Sequence, residues 1–253
     1  MSKVHAARFA FVLCVVAVAL AIADSKAQET GSGSETHANE KSANPEEPDA
    51  KAEPNAKSGS VPVFVPRDVG APVARVGGGT RGIEIVKSPS IEVLAPERLG
   101  YTLDPQPTLY WSLSEATDRR VEIRVNDHGS DPPVTVFETV LEGPLESGVH
   151  GIDLALHGVT LKPGVVYMWY VQLNPRSDGR YSGGGIQRVL ASAELEAALA
   201  AAAADRKAFV FAEAGIWYDA VDVLSEQIEG GAAGELALAQ RTALLEQAGL
   251  PSE

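Results

Sequence analysis

The stretch Leu161 to Tyr170, read Leu-Lys-Pro-Gly-Val-Val-Tyr-Met-Trp-Tyr, constrains the fold more than any other part of the sequence. Pro163 fixes its own φ and Gly164 tolerates the left-handed region, so the chain is expected to turn a sharp corner there. Beyond the corner Val165, Tyr167, Trp169, Val171 and Leu173 recur with a period of two, which places them on one face of a strand.

From Ile83 onward, short apolar runs separated by Pro, Gly and Asp predict an all-β domain of about seven strands. Ile91 to Ala95 is the first clear strand. In Pro107 to Leu113, Leu109, Trp111 and Leu113 share one face while Tyr110 and Ser112 take the other. Val121, Ile123 and Val125 alternate with Glu122, Arg124 and Asn126, giving one dry and one wet face, and Asn126 to Gly129 supplies a turn. Val134 to Leu141 returns, Gly151 to Leu156 puts Ile152, Leu154 and Leu156 on one side, and the aromatic strand follows. Ile186 to Leu190 closes the set after a loop holding Asp178-Gly179 and the Gly183-Gly184-Gly185 run. A Pro-Gly corner leading into a Tyr-bearing strand resembles the tyrosine corner of immunoglobulin and fibronectin type III sandwiches, where the hydroxyl caps backbone just upstream. The expected fold class is mainly β, an immunoglobulin/fibronectin-III-like antiparallel sandwich over residues 83–190, with Trp111 as its core tryptophan.

After Ser192 the period lengthens to three or four and alanine dominates, which predicts helices over residues 191–253. Ser192 is the expected N-cap of a first helix with Leu195 and Leu199 on its apolar stripe, ending near Asp205. A second helix is expected to run to Ala214 and stop at Gly215, with Ile216 folding back on Phe211. Trp217, Ala220, Leu224 and Ile228 form the next stripe, and after the Gly230-Gly231 break Glu235 to Ala248 forms a last helix closed by Gly249, Leu250 and Pro251. Ala214-Gly215-Ile216 recurs as Ala248-Gly249-Leu250, matching the tetratricopeptide period of about 34 residues. The tail therefore reads as a tetratricopeptide-like hairpin. Phe209, Phe211, Ile216, Trp217 and Leu224 carry more apolar surface than such short helices hide among themselves, so the tail is expected to pack on the sandwich.

The amino terminus has a different character. Lys3 and Arg8 precede the apolar run Phe9 to Ala23, which ends in the small-x-small triplet Ala21-Ile22-Ala23. Residues 1–23 read as a signal peptide cleaved after Ala23, or alternatively after Ala27, since the run is short for a bilayer span. The single cysteine, Cys14, lies inside it, so the mature chain is expected to hold no thiol, disulfide or Cys-bound zinc. Residues 24–60 read as a disordered acidic linker whose Gly, Ser, Glu, Asn and Pro content buries too little surface to offset ordering entropy. Residues 61–82 are a Pro/Gly-rich lead-in that ends Arg75-Val-Gly-Gly-Gly-Thr-Arg-Gly82; it reads as a flexible entry to the sandwich, with an anion-holding backbone nest as the sharper alternative. The expected location is periplasmic or secreted, with no transmembrane span left after cleavage. A formal net charge of −13 without any Lys/Arg block argues against a phosphate-backbone binder, so no nucleic acid partner is expected.

Candidate chemistry is sparse. His128 lies in a turn, and His150 and Asp153, three apart on a strand, point to opposite faces. Glu213, Asp219 and Asp222 bracket Trp217-Tyr218, and Asp219 and Asp222 share a helix face, a placement open either to acid/base work or to helix-end electrostatics. Trp217 and Tyr218 read either as a wedge between helices and sandwich or as part of an exposed groove. Tyr110, Tyr170 and Tyr181 are the aromatic candidates for a sugar-binding face. No catalytic residue, cofactor or metal ligand is assigned, and the binding candidates are Trp217, Tyr218 and Asp219.

Gly77 to Gly82, Pro107-Thr-Leu-Tyr-Trp111, Gly164 to Tyr170 and above all Gly215-Ile-Trp-Tyr-Asp-Ala220 with the trailing Gly249-Leu250 resemble the bacterial family called domain of unknown function 928, from roughly Gly77 to Leu250. The resemblance implies exported members and brings no catalytic residues. The expected function is a non-enzymatic extracytoplasmic protein-interaction module with a protein partner in the cell envelope or medium. Its rival is a cell-wall or polysaccharide-binding or hydrolysing protein that uses acids near Asp219.

Overall fold

Among the described residues, nine strands make up the β part: β1 (Val76–Gly78), β2 (Ile91–Val93), β3 (Gly100–Thr102), β4 (Thr108–Leu113), β5 (Val121–Asp127), β6 (Val134–Leu141), β7 (Gly148–Asp153), β8 (Val166–Leu173) and β9 (Tyr181–Arg188). They are followed by α1 (Ala193–Ala201), α2 (Lys207–Glu213), α3 (Trp217–Gly230) and α4 (Gly234–Gln247). The computed structural model describes residues 61–67, 76–78, 89–173, 180–231 and 234–251, all of them in one compact unit, Asn55–Glu253. The signal-peptide and linker readings, and the Arg75 and Gly79–Gly82 parts of the nest reading, lie outside the described residues.

The protein is mainly β, with two sheets and its helices at the carboxy-terminal end. One sheet runs β1-β9-β8-β5-β6 with β3 also paired to β9, and the other runs β2-β4-β7. Alternation explains why the sheets face each other. Val121, Ile123 and Val125 of β5 and Tyr167, Trp169, Val171 and Leu173 of β8 are buried, and they meet Leu109, Trp111 and Leu113 of β4 in one core. At the corner before β8, Gly164 has φ 77° and the Tyr167 hydroxyl accepts a hydrogen bond from the Lys162 amide at 3.1 Å.

Several local expectations are corrected. The Gly183–Gly185 run is not a loop but the middle of β9, opposite Tyr170, Trp169 and Met168. Glycine is needed because the sheets and side chains crowd here. A Cβ on Gly183 would stand 2.5 Å from the Tyr170 ring, and one on Gly184 would collide with the Ala95 methyl group, two residues past the end of β2. The neighbouring Ser182 hydroxyl accepts from the Val93 amide at 3.1 Å, tying the two sheets. Leu156 is not in the strand. Asp153 accepts from the Ala155 amide at 2.8 Å and turns the chain into a 3₁₀ turn, Ala155–His157, which leaves Leu156 exposed. The short strand β3 pairs parallel to β9, so the sheet is not wholly antiparallel as expected. The lead-in contributes two packed pieces where flexibility was expected: Val76–Gly78 pairs antiparallel with β9, and Val61–Arg67 lies along the helices.

In the tail, the Ser192 hydroxyl caps α1 by accepting from the Leu195 amide. The helix stops at Ala201 and not near Asp205, because Ala202 and Ala203 are extended before a 3₁₀ turn at Ala204–Arg206. At the end of α2, Gly215 (φ 73°) lets the Ile216 amide reach the Phe211 carbonyl at 2.8 Å; at the end of α4, Gly249 (φ 64°) lets the Leu250 amide reach the Leu245 carbonyl at 3.0 Å. The sequence echo is thus one closing geometry used twice. No helix of the described residues is long and apolar enough to cross a membrane.

Candidate functional site

The string Gly215 to Ala220 opens α3, and each of its large side chains points into a different part of the molecule. Trp217 is fully buried, and its indole donates to the Leu94 carbonyl at 2.8 Å while the Phe64 ring meets it edge-on, 4.8 Å between centroids. Tyr218 is buried as well. Its hydroxyl donates to the Gly185 carbonyl at 2.9 Å and accepts from the Trp169 indole at 3.0 Å, and its ring fills the space that a side chain at Gly100 would take. Burial pushes the Tyr218 hydroxyl well above the ordinary tyrosine range. Trp217 and Tyr218 therefore join α3 to both sheets and present no exposed aromatic surface.

Asp219 takes the third direction, toward the backbone after β3. Both its carboxylate oxygens face the Leu103 amide, at 3.1 and 3.3 Å. Burial pushes its carboxyl up to about 7, and the Asp104 and Asp222 charges add to the shift, while bonds from the Thr102 side chain and the Leu103 amide oppose it. One turn on, Asp222 accepts from the Tyr110 hydroxyl of β4 at 2.9 Å. Burial, followed by the Asp222 charge, raises that hydroxyl beyond its usual range.

These groups border a shallow depression lined by Thr102, Asp104, Pro107, Tyr218, Asp219 and Asp222, with Phe211 and Val223 at its apolar side. The sequence reading named Asp219 and Asp222 together, and both stand at this depression; Glu213, the third acid, is exposed at the end of α2. Sequence reasoning missed Tyr110, Thr102 and Asp104 here, because their positions depend on how β3 and β4 meet α3 and no periodicity within one segment carries that. A volume of about 130 Å³ is small beside the roughly 300 Å³ and upward of ordinary ligand sites. Tyr110 is buried against Asp222, so it offers no sugar-stacking face; Tyr170 and Tyr181 stand on the other sheet. His150 stacks on Trp111 at 4.5 Å and Asp153 caps the turn after β7, so the two do not converge.

The fold and site define a two-sheet, mainly β protein whose helical tail is pinned to both sheets by the Gly-Ile-Trp-Tyr-Asp-Ala string. Residues 76–252 match the family described as Domain of Unknown Function (DUF928), and the chain belongs to that family. No match to a curated protein was found.

Proposed function

We propose that the chain is an exported, non-enzymatic protein-interaction module, and that β6 is the surface it offers. The observation that carries this reading is the edge position of β6. Among the described strands only β5 borders it, and Val134, Val136 and Val140 are 52%, 41% and 42% exposed. A long apolar edge strand with unpaired backbone groups is a template for strand addition, which natural proteins otherwise blunt with charge or proline. Within β6, Glu138 is the single charge, and it is engaged by Arg124 at 3.2 Å. The partner chemistry that fits is an extended, apolar segment of another protein.

Export rests on the Lys3/Arg8 start, the apolar run to Ala23 and the Ala21-Ile22-Ala23 triplet. Cleavage after Ala23 or Ala27 would release the protein to the periplasm or the medium, and mass spectrometry that finds Met1 intact on the exported protein would overturn it. The Tyr167 to Lys162 bond supports an immunoglobulin- or fibronectin-III-like reading of the sandwich, and the repeated closure at Gly215 and Gly249 supports a tetratricopeptide-like reading of the tail.

The interaction reading is tested by a photo-cross-linker at position 136 in cells. Adducts of one defined mass in the envelope or medium are expected, and recovery of the monomer alone would contradict the reading. A second reading, acid/base chemistry at Asp219, draws on its raised carboxyl beside Asp222. Hydrolysis of cell-wall or polysaccharide material that vanishes in Asp219→Ala, with the fold intact, would put it first.

A further inference from the structure

The segment Val61–Arg67 precedes the family-matched residues, yet it is held against α2, α3 and α4 by a defined set of contacts. Three of these read backbone. The Gln247 side chain accepts from the Phe64 amide at 3.0 Å and donates to the Pro62 carbonyl at 2.9 Å, so one carboxamide brackets Val63 from both sides. The Val65 amide adds a bond to the Ala212 carbonyl at 3.1 Å. Two others read side chains. Phe64 meets the Trp217 indole edge-on, and the Arg67 guanidinium donates from Nε to the Ala214 carbonyl at 3.0 Å while lying 5.5 Å from the Tyr101 ring centre.

Each contact has a physical reason to favour an extended peptide. The bracketing amide satisfies an N–H and a C=O on the same edge of a chain, which needs extended backbone and no particular side chain. The Ala214 carbonyl lies just past the end of α2, at the negative end of the helix dipole, where a guanidinium is favoured, and the Ala212 carbonyl takes the Val65 amide beside that of Gly215. Gly215 keeps the floor bare, since a Cβ there would stand 2.7 Å from the Val65 carbonyl oxygen. Val61, Val63 and Val65 face outward and are exposed, so the segment is gripped along one side only.

We propose that Ala212, Ala214, Gly215, Trp217 and Gln247 form a peptide-binding groove for an extended segment of pattern Phe-x-x-Arg, and that Val61–Arg67 is the copy of that segment resident in this chain. An external segment of the same pattern competes for the groove. This deepens the interaction reading but uses a surface other than β6, so failure of capture at β6 leaves it standing.

The test uses the full chain carrying Phe64→Ala and Arg67→Ala and a fluorescein-labelled peptide of the sequence Val61 to Arg67. The substituted chain is expected to keep a cooperative melt and to bind the peptide saturably, at least about tenfold tighter than the wild type, whose groove is filled; adding Gln247→Leu is expected to cost about tenfold. A peptide with both anchors changed to Ala should not compete. Equal binding by wild type and substituted chain, indifference to Gln247→Leu, or a folded substituted chain that ignores the peptide would each overturn the proposal. If the double substitution abolishes the melt, Arg67→Ala alone takes its place with the same expected rise in peptide binding over wild type, and no rise overturns the proposal.

Discussion

The Trp169 indole donates to the Tyr218 hydroxyl at 3.0 Å, and the same hydroxyl donates on to the Gly185 carbonyl at 2.9 Å, so one buried oxygen joins β8, β9 and α3. Tyr218→Phe keeps the ring and leaves both partners unsatisfied in a dry interior. The expected cost is about 1–3 kcal/mol per stranded group. Urea unfolding of the two chains measures it, and coincident curves would mean that the bond contributes nothing net.

Gly184→Ala tests how closely the two sheets approach. The added methyl meets Ala95 across the gap, and Trp169 opposite Gly184 is locked by Tyr218, so the chain just after β2 has to move. Overpacking of this kind costs roughly 1–3 kcal/mol. A melt lowered by several degrees is expected, whereas Gly230→Ala, with open space around it, should stay within about 0.5 kcal/mol of wild type.

Asp219 gives the stability a pH dependence of definite sign. Its carboxyl is raised by burial to about 7 in the folded chain, against about 4 when unfolded. Between those values the folded chain holds a proton that the unfolded chain releases. The stabilisation linked to that proton is fully present below about pH 4 and lost as the pH rises through about 7. Relative to Asp219→Asn, the wild type should lose stability from about pH 4 to about pH 7. Parallel pH profiles of the two chains would show that Asp219 titrates at its ordinary value.

The β6 reading makes a separate demand. Val136→Lys with Val140→Lys places two charges on exposed positions of the edge strand. Thermal unfolding should move by less than about 0.5 kcal/mol per site. Capture of the cross-linked partner from a linker at position 134 should fall sharply. Undiminished capture would move the interaction surface away from β6.

How much of this was legible from the residues follows the reach of each signal. The alternation in β5, the Pro-Gly corner with Tyr167, and the Gly215 and Gly249 closures are written within a few consecutive residues, so the mainly β body and the helical end could be read directly. Gly183–Gly185 misled because glycine ordinarily marks loops; here it marks crowding by Tyr170 and Ala95, which lie far away in sequence. The strand Gly100–Thr102 is too short to show a period, and its pairing with β9 is parallel and remote. At the site, Asp219 and Asp222 were readable as one helix face. Tyr110 was not readable as the partner of Asp222, since that bond spans 112 residues of sequence.

The central claim is that the string Gly215 to Ala220 is a structural joint that pins the helical tail to both sheets. Trp217→Ala measures this most directly. The indole is wholly buried, bonded to the Leu94 carbonyl and covered by Phe64. Its loss should cost about 3–5 kcal/mol, a large part of the stability of an ordinary domain. The account expects a markedly lower melting temperature and a helical tail newly open to limited proteolysis. An unchanged melt and an unchanged proteolysis pattern would contradict it.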